Sequence, residues 1–207
     1  MARFVFVHGA WHGGWCFAEV IRELEARGHS ASAPDLPCED TSLTQHDYAH
    51  VVGPQADAIV VGHSLGGLTI PLVEARSHVY LAALLPVEHV YRDALLDSFG
   101  GFVRDERGRS YWPDAETCAA NMYPDCDRVT SDWAFAQLRH QAPFDSQVSP
   151  FGPNDVSIAC LRDAAVDPGW QVEAGHRHVG RVIELDAGHS PFFTQPAELA
   201  GILASVA

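Results

Sequence analysis

Basic residues are scarce in this sequence of 207 residues. The chain has 13 Lys and Arg against 27 Asp and Glu, which gives a formal net charge of −14 at pH 7 with His neutral. A surface this acidic repels phosphate backbones and anionic lipid headgroups. We therefore expect neither a nucleic acid nor a membrane as a partner, whereas the charge says little about the fold.

Long hydrophobic runs and paired cysteines are also missing. The apolar stretch Phe4–Val7 is too short for a signal-peptide core or a membrane span, so we expect a cytoplasmic protein. The five cysteines are an odd number at irregular spacings, and none forms a CxxC pair. This favours free thiols over a disulfide framework or a zinc site, and the sequence predicts no bound metal.

The sequence does contain short apolar runs that alternate with amphipathic stretches, the pattern of a parallel sheet covered by helices. The helix after the first run is indicated by Phe17, Val20, Ile21 and Leu24 at i, i+3, i+4 and i+7, with Gly28 at its C-terminal cap. Six runs are predicted as strands: 3–8, 29–33, 58–62, 78–84, 155–161 and 181–185.

Residues 87–149 differ from the rest, because they are rich in Pro, Gly, aromatic and charged residues and have only weak helical periodicity. We predict a cap inserted into a core formed by residues 1–86 and 150–207. A closing helix is expected near the end, with Thr194 as its N-cap. Right-handed crossovers then give an α/β fold with a doubly wound, six-stranded, mainly parallel sheet. Its active residues should lie at the carboxyl ends of the strands.

The sequence Gly62-His63-Ser64-Leu65-Gly66 is a G-x-S-x-G motif between a predicted strand and a predicted amphipathic helix with Leu65, Leu68, Thr69 and Leu72 on one face. A nucleophilic serine on such a sharp turn needs glycines around it, because side chains there would collide with the neighbouring strand and helix. The alternative is a serine that only caps a helix. The strand–turn–helix context favours Ser64 as the nucleophile.

A second Gly-His-Ser tripeptide occurs at residues 188–190, but Ser190 is followed by Pro191. The residue after the nucleophile must donate its N–H to the oxyanion, and proline has none. Leu65 can donate, so Ser64 remains the candidate and the second copy contributes His189.

The glycine-rich segment His8–Trp15 follows the first strand and is the expected second half of an oxyanion hole. We predict that the N–H groups of Ala10 and Leu65 bind the oxyanion. A phosphate-binding loop is the competing interpretation, but the segment has neither G-x-G-x-x-G nor a Walker lysine. His8 and His12 are predicted to be structural, since no third ligand with metal-site spacing is nearby.

His189 follows the sixth predicted strand and fits the order Ser, acid, His, whereas His176 and His178 are expected on the surface. The acid must come from the carboxyl end of another strand. Asp163 qualifies, and Glu88 after the fourth strand is a serious alternative. Two other carboxylates fit less well, because one lies at the wrong end of its strand and the other too far along the chain; these are Asp155 and Asp167.

Five segments together resemble the α/β-hydrolase superfamily and, within it, the branch of plant methylesterases, hydroxynitrile lyases and their bacterial relatives. The segments are FVFVHGAWHGGWCF (4–17), VVGHSLGG (60–67), VYLAALLP (79–86), CLRDAAVDPGWQ (160–171) and ELDAGHSPFFTQP (184–196). The resemblance implies a six-stranded core, a cap over the site and no cofactor. It also implies a triad of Ser64, Asp163 and His189, with Ala10 and Leu65 as oxyanion donors.

The sequence departs from this branch in two places. The stretch Leu36–Ser64 is short, so the helix within it must be small, and the cap is compact. The position directly after His189, where hydroxynitrile lyases of the branch are expected to carry a lysine, holds Ser190, which argues against cyanohydrin chemistry.

These observations predict a cofactor-free carboxylic ester hydrolase that acts on a small-molecule ester. A lyase or a thioesterase on the same triad, and a non-catalytic ligand-binding receptor, are the alternatives. The cap aromatics Tyr111, Trp112 and Trp133 are expected either to line an apolar pocket or to form ordinary cap core. Whether the chain forms a homodimer stays open.

Overall fold

A six-stranded sheet lies at the centre of the computed structural model, which describes all 207 residues. Its strands are β1 (Arg3–Val7), β2 (Ser30–Ser32), β3 (Gln55–His63), β4 (Ala75–Leu81), β7 (Val156–Cys160) and β8 (Arg181–Leu185). They are arranged in the order β2-β1-β3-β4-β7-β8, and every neighbouring pair is parallel. The predicted α/β sheet is therefore confirmed.

Helices cover both faces of this sheet because successive strand residues point to opposite sides. On one face, Phe4 and Phe6 pack in a core with residues of α1 (Ala18–Ala26) and α8 (Pro196–Ser205). On the other, Val5 and Val7 pack with residues of α2 (Gln45–Val52) and α6 (Pro168–Ala174). The sheet is thus doubly wound, and α2 is as small as the short segment before Ser64 predicts.

Between β4 and β7 the chain leaves the sheet, in the region that the sequence predicts to be a cap. Its elements are α3 (Val90–Ala94), the antiparallel pair β5 (Val103–Arg104) and β6 (Ser110–Tyr111), α4 (Ala115–Met122) and α5 (Arg128–Phe135). Asp114 and Asp127 cap α4 and α5 by accepting backbone N–H groups of the first turn. The longest helix of the protein, α8, has 10 residues, and none has the length and hydropathy of a membrane span.

The predicted amphipathic helix after Ser64 is wrong. The chain forms two short 3₁₀ turns, Ser64–Leu68 and Ile70–Leu72, before β4 begins at Ala75. Pro71 lies in the second turn and has no N–H to donate, which prevents a continuous α-helix.

Several element boundaries also differ from the prediction, and β3 begins at Gln55 rather than at residue 58. The fourth strand spans 75–81 rather than 78–84. Thr194 is not the N-cap of the closing helix, because a short helix α7 (Pro191–Thr194) intervenes and α8 begins at Pro196 after Gln195. The hydroxyl of Thr194 instead contacts the cap through Asp125. Gly28 follows α1 with a positive φ of 82°, as its predicted capping role requires.

Candidate active site

Ser64 stands directly after β3, at a turn with a strained backbone. Its φ is +51°, a conformation that non-glycine residues adopt at a cost. A Cβ on Gly66 would lie 2.4 Å from the carbonyl oxygen of Val7, and one on Gly62 would lie 2.9 Å from the carbonyl oxygen of Gly66. Glycines are therefore required on both sides of the turn, which holds the half-buried Ser64 at the carboxyl end of the sheet.

His189 lies in the loop after β8, and its side chain is completely buried. Its Nδ1 is 2.8 Å from Oδ2 of Asp163. Because a carboxylate oxygen accepts, Nδ1 carries the proton, and Nε2 is left with a lone pair. Nε2 is buried and has no hydrogen-bond partner in the protein. The imidazole is thus held in the tautomer that a general base for a serine needs.

Asp163 follows β7, and its carboxylate is fixed by several donors. Oδ1 accepts the backbone N–H groups of Ala165 at 2.8 Å and Val166 at 3.0 Å. Oδ2 accepts from Nε2 of Gln171 at 2.9 Å in addition to His189. The side chain is buried, so this carboxylate cannot turn away from the imidazole without losing these bonds.

The other candidate acids lie elsewhere. Glu88 is exposed after β4 and makes no hydrogen bond to His189. Asp155 accepts the backbone N–H groups of His78 and Gly152, and Asp167 caps α6. The structure thus brings Asp163, and none of the other three, to the imidazole.

Ser64 and His189 are connected through His63 rather than through a direct hydrogen bond. His63 donates from Nε2 to the backbone carbonyl of His189 at 2.9 Å, and the two rings are 4.8 Å apart between centroids. The hydroxyl of Ser64 makes no hydrogen bond to Nε2 of His189, which has no partner. Such catalytic hydrogen bonds often tighten only when substrate binds.

The loop after β1 passes against the nucleophile turn. A Cβ on Gly9 would lie 2.8 Å from Cβ of Ser64. The N–H of Ala10, the next residue, donates no hydrogen bond within the protein. Leu65 is the second residue of its 3₁₀ turn, so its N–H has no acceptor within that turn. Two unused N–H groups therefore flank Ser64, as an oxyanion hole requires.

The buried histidines of this loop are held in neutral tautomers. His12 donates from Nδ1 to the carbonyl of Ala10 at 2.8 Å, and its Nε2 lies 2.9 Å from the hydroxyl of Tyr123. The N–H of Leu36 donates to Nε2 of His8 at 3.0 Å. Burial lowers the pKa of His8 to about 4 and that of His12 to about 3. These contacts and low pKa values fit the structural roles predicted for His8 and His12.

Three residues that hold the loops of the candidate site were missed in the sequence analysis. The N–H of Arg139 donates to the carbonyl of Trp11 at 2.8 Å, and its guanidinium donates to the carbonyl of His12 at 2.8 Å. Asp125 accepts the N–H of Gly188, and His63 holds the carbonyl of His189 as described above. Arg139 and Asp125 both come from the cap region, and no local pattern could have revealed contacts across more than sixty residues of sequence.

The cap supplies an apolar cover for the candidate oxyanion residues. Ala10 and Leu65 pack in one cluster with the cap aromatics Phe99, Phe102 and Trp112. Trp112 is buried within this cluster and packs against Trp11 with ring centroids 5.2 Å apart, so it lies between the predicted cap region and the loop after β1.

The other two cap aromatics lie differently. Tyr111 stacks on His140 with ring centroids 4.6 Å apart. Trp133 is half exposed and borders an open cleft of about 380 Å³ together with Trp15 and Phe193. Three arginines of the predicted cap region, at positions 92, 104 and 107, are exposed, whereas Arg109 is partly buried and pairs with Asp105.

Comparisons with known proteins agree with the fold described above. Residues 4–202 match the family model described as "Alpha/beta hydrolase family". Methylesterase 7 of Arabidopsis thaliana is 26% identical over 260 aligned positions, which cover 99% of this chain and 96% of that protein. The alignment is longer than this chain, so the relative has segments without a counterpart here.

Other similar proteins include an esterase and two solved structures. The carbendazim hydrolyzing esterase of Nocardioides sp. is 39% identical over 108 residues, 43% of this chain and 44% of that protein. A pyrethroid hydrolase structure superposes with a TM-score of 0.78 at 21% identity, covering 99% of this chain and 96% of that one. A methylesterase structure from Arabidopsis has a TM-score of 0.78 at 22% identity, covering 99% of this chain and 98% of that one.

Proposed function

The chain belongs to the α/β-hydrolase family, and on that premise we propose that it is a serine esterase, a cofactor-free hydrolase of a small carboxylic ester. One observation carries the proposal. The buried pair of Asp163 and His189 leaves a free Nε2 beside the strained turn that presents Ser64. The names of the relatives, a methylesterase and a carbendazim hydrolyzing esterase, support ester cleavage.

In the first half-reaction, Nε2 of His189 takes the proton of the Ser64 hydroxyl as its oxygen attacks the ester carbonyl. The carbonyl oxygen becomes an oxyanion and accepts the N–H groups of Ala10 and Leu65. The imidazolium then donates its proton to the departing alkoxide. Asp163 stabilises the positive imidazolium through the hydrogen bond to Nδ1.

In the second half-reaction, water replaces the alcohol. His189 takes a proton from the water as its oxygen attacks the acyl-enzyme carbonyl. The imidazolium then returns this proton to the Ser64 oxygen as the ester bond to Ser64 breaks. The same two N–H groups bind the second oxyanion. The carboxylic acid leaves and Ser64 is restored.

The cap favours an ester with an apolar group next to its carbonyl. Ala10 and Leu65 share their apolar cluster with Phe99, Phe102 and Trp112, so a substrate carbonyl held by these two residues would place a neighbouring group against aromatic rings.

A fluorophosphonate probe and a p-nitrophenyl ester series of increasing chain length test the proposal together. We expect one label per chain and turnover of the esters, both abolished by Ser64→Ala. Ser190→Ala is the matched control, because Ser190 is the serine of the second Gly-His-Ser sequence, and it should still be labelled. Unchanged labelling of Ser64→Ala would refute the assignment.

A lyase reaction on the same triad is the alternative that needs its own test. Cyanide leaves as an anion, and a nearby ammonium group would lower the free energy of this departing anion by charge attraction. All 13 basic residues of this chain are arginines, and the position after His189 holds an uncharged serine. We expect aryl acetates to be hydrolysed and mandelonitrile to be left intact. Ser64-dependent cyanide release without ester turnover would replace the esterase assignment by a lyase.

A further inference from the structure

A carboxylate of the cap region lies against the backbone next to His189. Asp125 stands between α4 and α5, and its side chain is only 9% exposed. Its Oδ2 accepts the N–H of Gly188 at 2.7 Å and the hydroxyl of Thr194 at 3.2 Å. Gly188 directly precedes His189, so the cap and the loop of the candidate general base are joined at this carboxylate.

The approach is so close that only glycine fits at position 188. A Cβ there would lie 2.4 Å from Oδ1 of Asp125. Oδ1 is itself buried and has no hydrogen-bond partner. A buried carboxylate oxygen without a partner costs free energy of folding, so stability alone does not account for an aspartate here.

Arg162 links the same region to the segment after β7 that contains Asp163. Its guanidinium lies 3.8 Å from Oδ2 of Asp125 and binds both the carboxylate and the backbone carbonyl of Asp186, at 2.7 and 2.6 Å. The loop between β8 and α7 is therefore anchored by charge-assisted hydrogen bonds, which are shorter and stronger than neutral ones.

We propose that Asp125 is a positioning residue, which fixes the His189 loop from the cap so that the imidazole is aligned only when the cap is seated on the core. His189 is then held on three sides. Asp163 binds its ring, His63 binds its carbonyl, and Asp125 binds the amide of the preceding residue. The inference rests on the proposed esterase function for its catalytic consequence, but the anchoring itself is measurable without turnover.

The decisive variants are Asp125→Ala and Asp125→Asn. Misplacing a catalytic group by about 1 Å can cost about 100-fold in rate. We expect Asp125→Ala to lower kcat about 10- to 100-fold, per active site titrated with fluorophosphonate, and to leave KM within about twofold. Asn keeps an oxygen that accepts the Gly188 N–H, so Asp125→Asn should recover most of the loss.

Asp132→Ala is the matched control. Asp132 is also a carboxylate of the cap region, but it is half exposed on α5 and pairs only with Arg128. We expect wild-type kcat from this variant. A merely structural role for Asp125 predicts a lower melting temperature with unchanged kcat per titrated site, and that result would overturn the proposal.

A double variant tests whether Asp125 acts through His189. In an Asp163→Asn background the imidazole has already lost its tautomer control. Adding Asp125→Ala in this background should lower kcat by less than about threefold, because both residues act on the His189 ring. A full additional loss of 10- to 100-fold would contradict this route.

Amide hydrogen exchange, followed by mass spectrometry, measures the anchoring independently of activity. We expect faster exchange in the peptide containing Gly188 for Asp125→Ala, but neither for Asp125→Asn nor for Asp132→Ala. Unchanged exchange would overturn the proposed anchoring. Retained turnover by Ser64→Ala would instead overturn the esterase assignment, so the two failures are distinguishable.

Discussion

Asp163 and Glu88 could not be separated from the sequence, because each follows a strand at its carboxyl end. Side-chain contacts separate them, since Asp163 binds Nδ1 of His189 and Glu88 is exposed. We expect Asp163→Asn to lower kcat about 10⁴-fold, since the wrong imidazole tautomer then forms. Glu88→Gln serves as the control and should stay within about twofold of wild type in the same ester assay. A large loss in Glu88→Gln with little in Asp163→Asn would return the role to Glu88.

Gly9 is a second residue at which an added side chain should lower activity. An added methyl group would lie 2.8 Å from Cβ of Ser64, so the loop that carries the Ala10 N–H must shift. We expect Gly9→Ala to lower kcat about 10²- to 10³-fold, the effect of losing one oxyanion donor.

Gly201→Ala provides the comparison for this variant, because a Cβ at Gly201 has no neighbour within 4 Å and its helix favours alanine. Its activity should match wild type, with unfolding shifted to slightly higher temperature. Equal activity of the two variants would show that Gly9 does not position the oxyanion hole.

The candidate nucleophile and the candidate general base could be named from the sequence because each belongs to a local pattern. Ser64 lies in a five-residue motif between two elements, and His189 follows a strand late in the chain. Asp125, Arg139 and His63 were missed, because their contacts depend on side chains that meet backbone atoms far away in sequence. Periodicity carries no information about such contacts.

At the level of elements, the turn after Ser64 is where the sequence was misleading. Leu65, Leu68 and Leu72 have helical spacing, but only ten residues lie between Ser64 and the start of β4, and one of them is Pro71. The spacing predicted buried positions such as Leu68 and Thr69 correctly, whereas Leu65 and Leu72 are only partly buried. The 3₁₀ hydrogen bonding was determined by Pro71 and by the short segment between β3 and β4.

The segment after α5 contacts the loop that contains Ala10, the candidate oxyanion donor. The guanidinium of Arg139 donates to the carbonyl of His12, two residues after Ala10, whereas the bond to the carbonyl of Trp11 comes from the backbone N–H and is kept in an alanine variant. We expect Arg139→Ala to weaken binding of a trifluoromethyl ketone, which mimics the tetrahedral intermediate, by about tenfold or more, because the Ala10 donor is displaced.

Binding of the product acid separates this effect from general damage, since the acid does not need the oxyanion geometry. Its dissociation constant should change less than about twofold in Arg139→Ala. Arg128→Ala, which removes a largely exposed guanidinium from α5, should leave both constants unchanged. Equal weakening of both ligands in Arg139→Ala would indicate loss of the whole site rather than of the oxyanion donor.

For the whole molecule, three buried histidines predict the pH dependence of stability. Burial lowers the pKa of His8 to about 4, of His12 to about 3, and of His63 well below 6.5. The unfolded chain binds protons at these sites below about pH 6.5, and the folded protein does not. The stability that these neutral histidines contribute is therefore fully present above pH 6.5. It is lost as the pH falls toward the folded-state pKa values, which are about 4 for His8 and about 3 for His12.

Urea denaturation between pH 7.5 and 4.5 measures this loss. Each histidine that stays neutral in the folded protein contributes a slope of up to about 1.4 kcal/mol per pH unit below 6.5. His12→Gln should remove one such contribution and flatten the curve. A free energy of unfolding that is independent of pH over this range would contradict the prediction.

The architecture of the whole chain was largely predictable, because buried parallel strands form continuous apolar runs and crossovers have a fixed hand. The carboxyl end of β4 was not, since apolar residues continue past it into the buried segment 82–86. Residues 82–86 are buried in the core but form no part of the sheet, and hydrophobicity alone cannot distinguish such a segment from a buried strand.

The free thiols have a practical consequence for spectroscopy. Four cysteines are fully buried and the fifth, Cys126, is partly so, and burial raises the pKa of Cys126 to about 12. Maleimides react with thiolates, so the cysteines of the native protein should react very slowly with maleimide dyes at neutral pH. A single Val129→Cys substitution, at an exposed position of α5, would then carry the only fluorophore, and its emission would report the seating of the cap in real time.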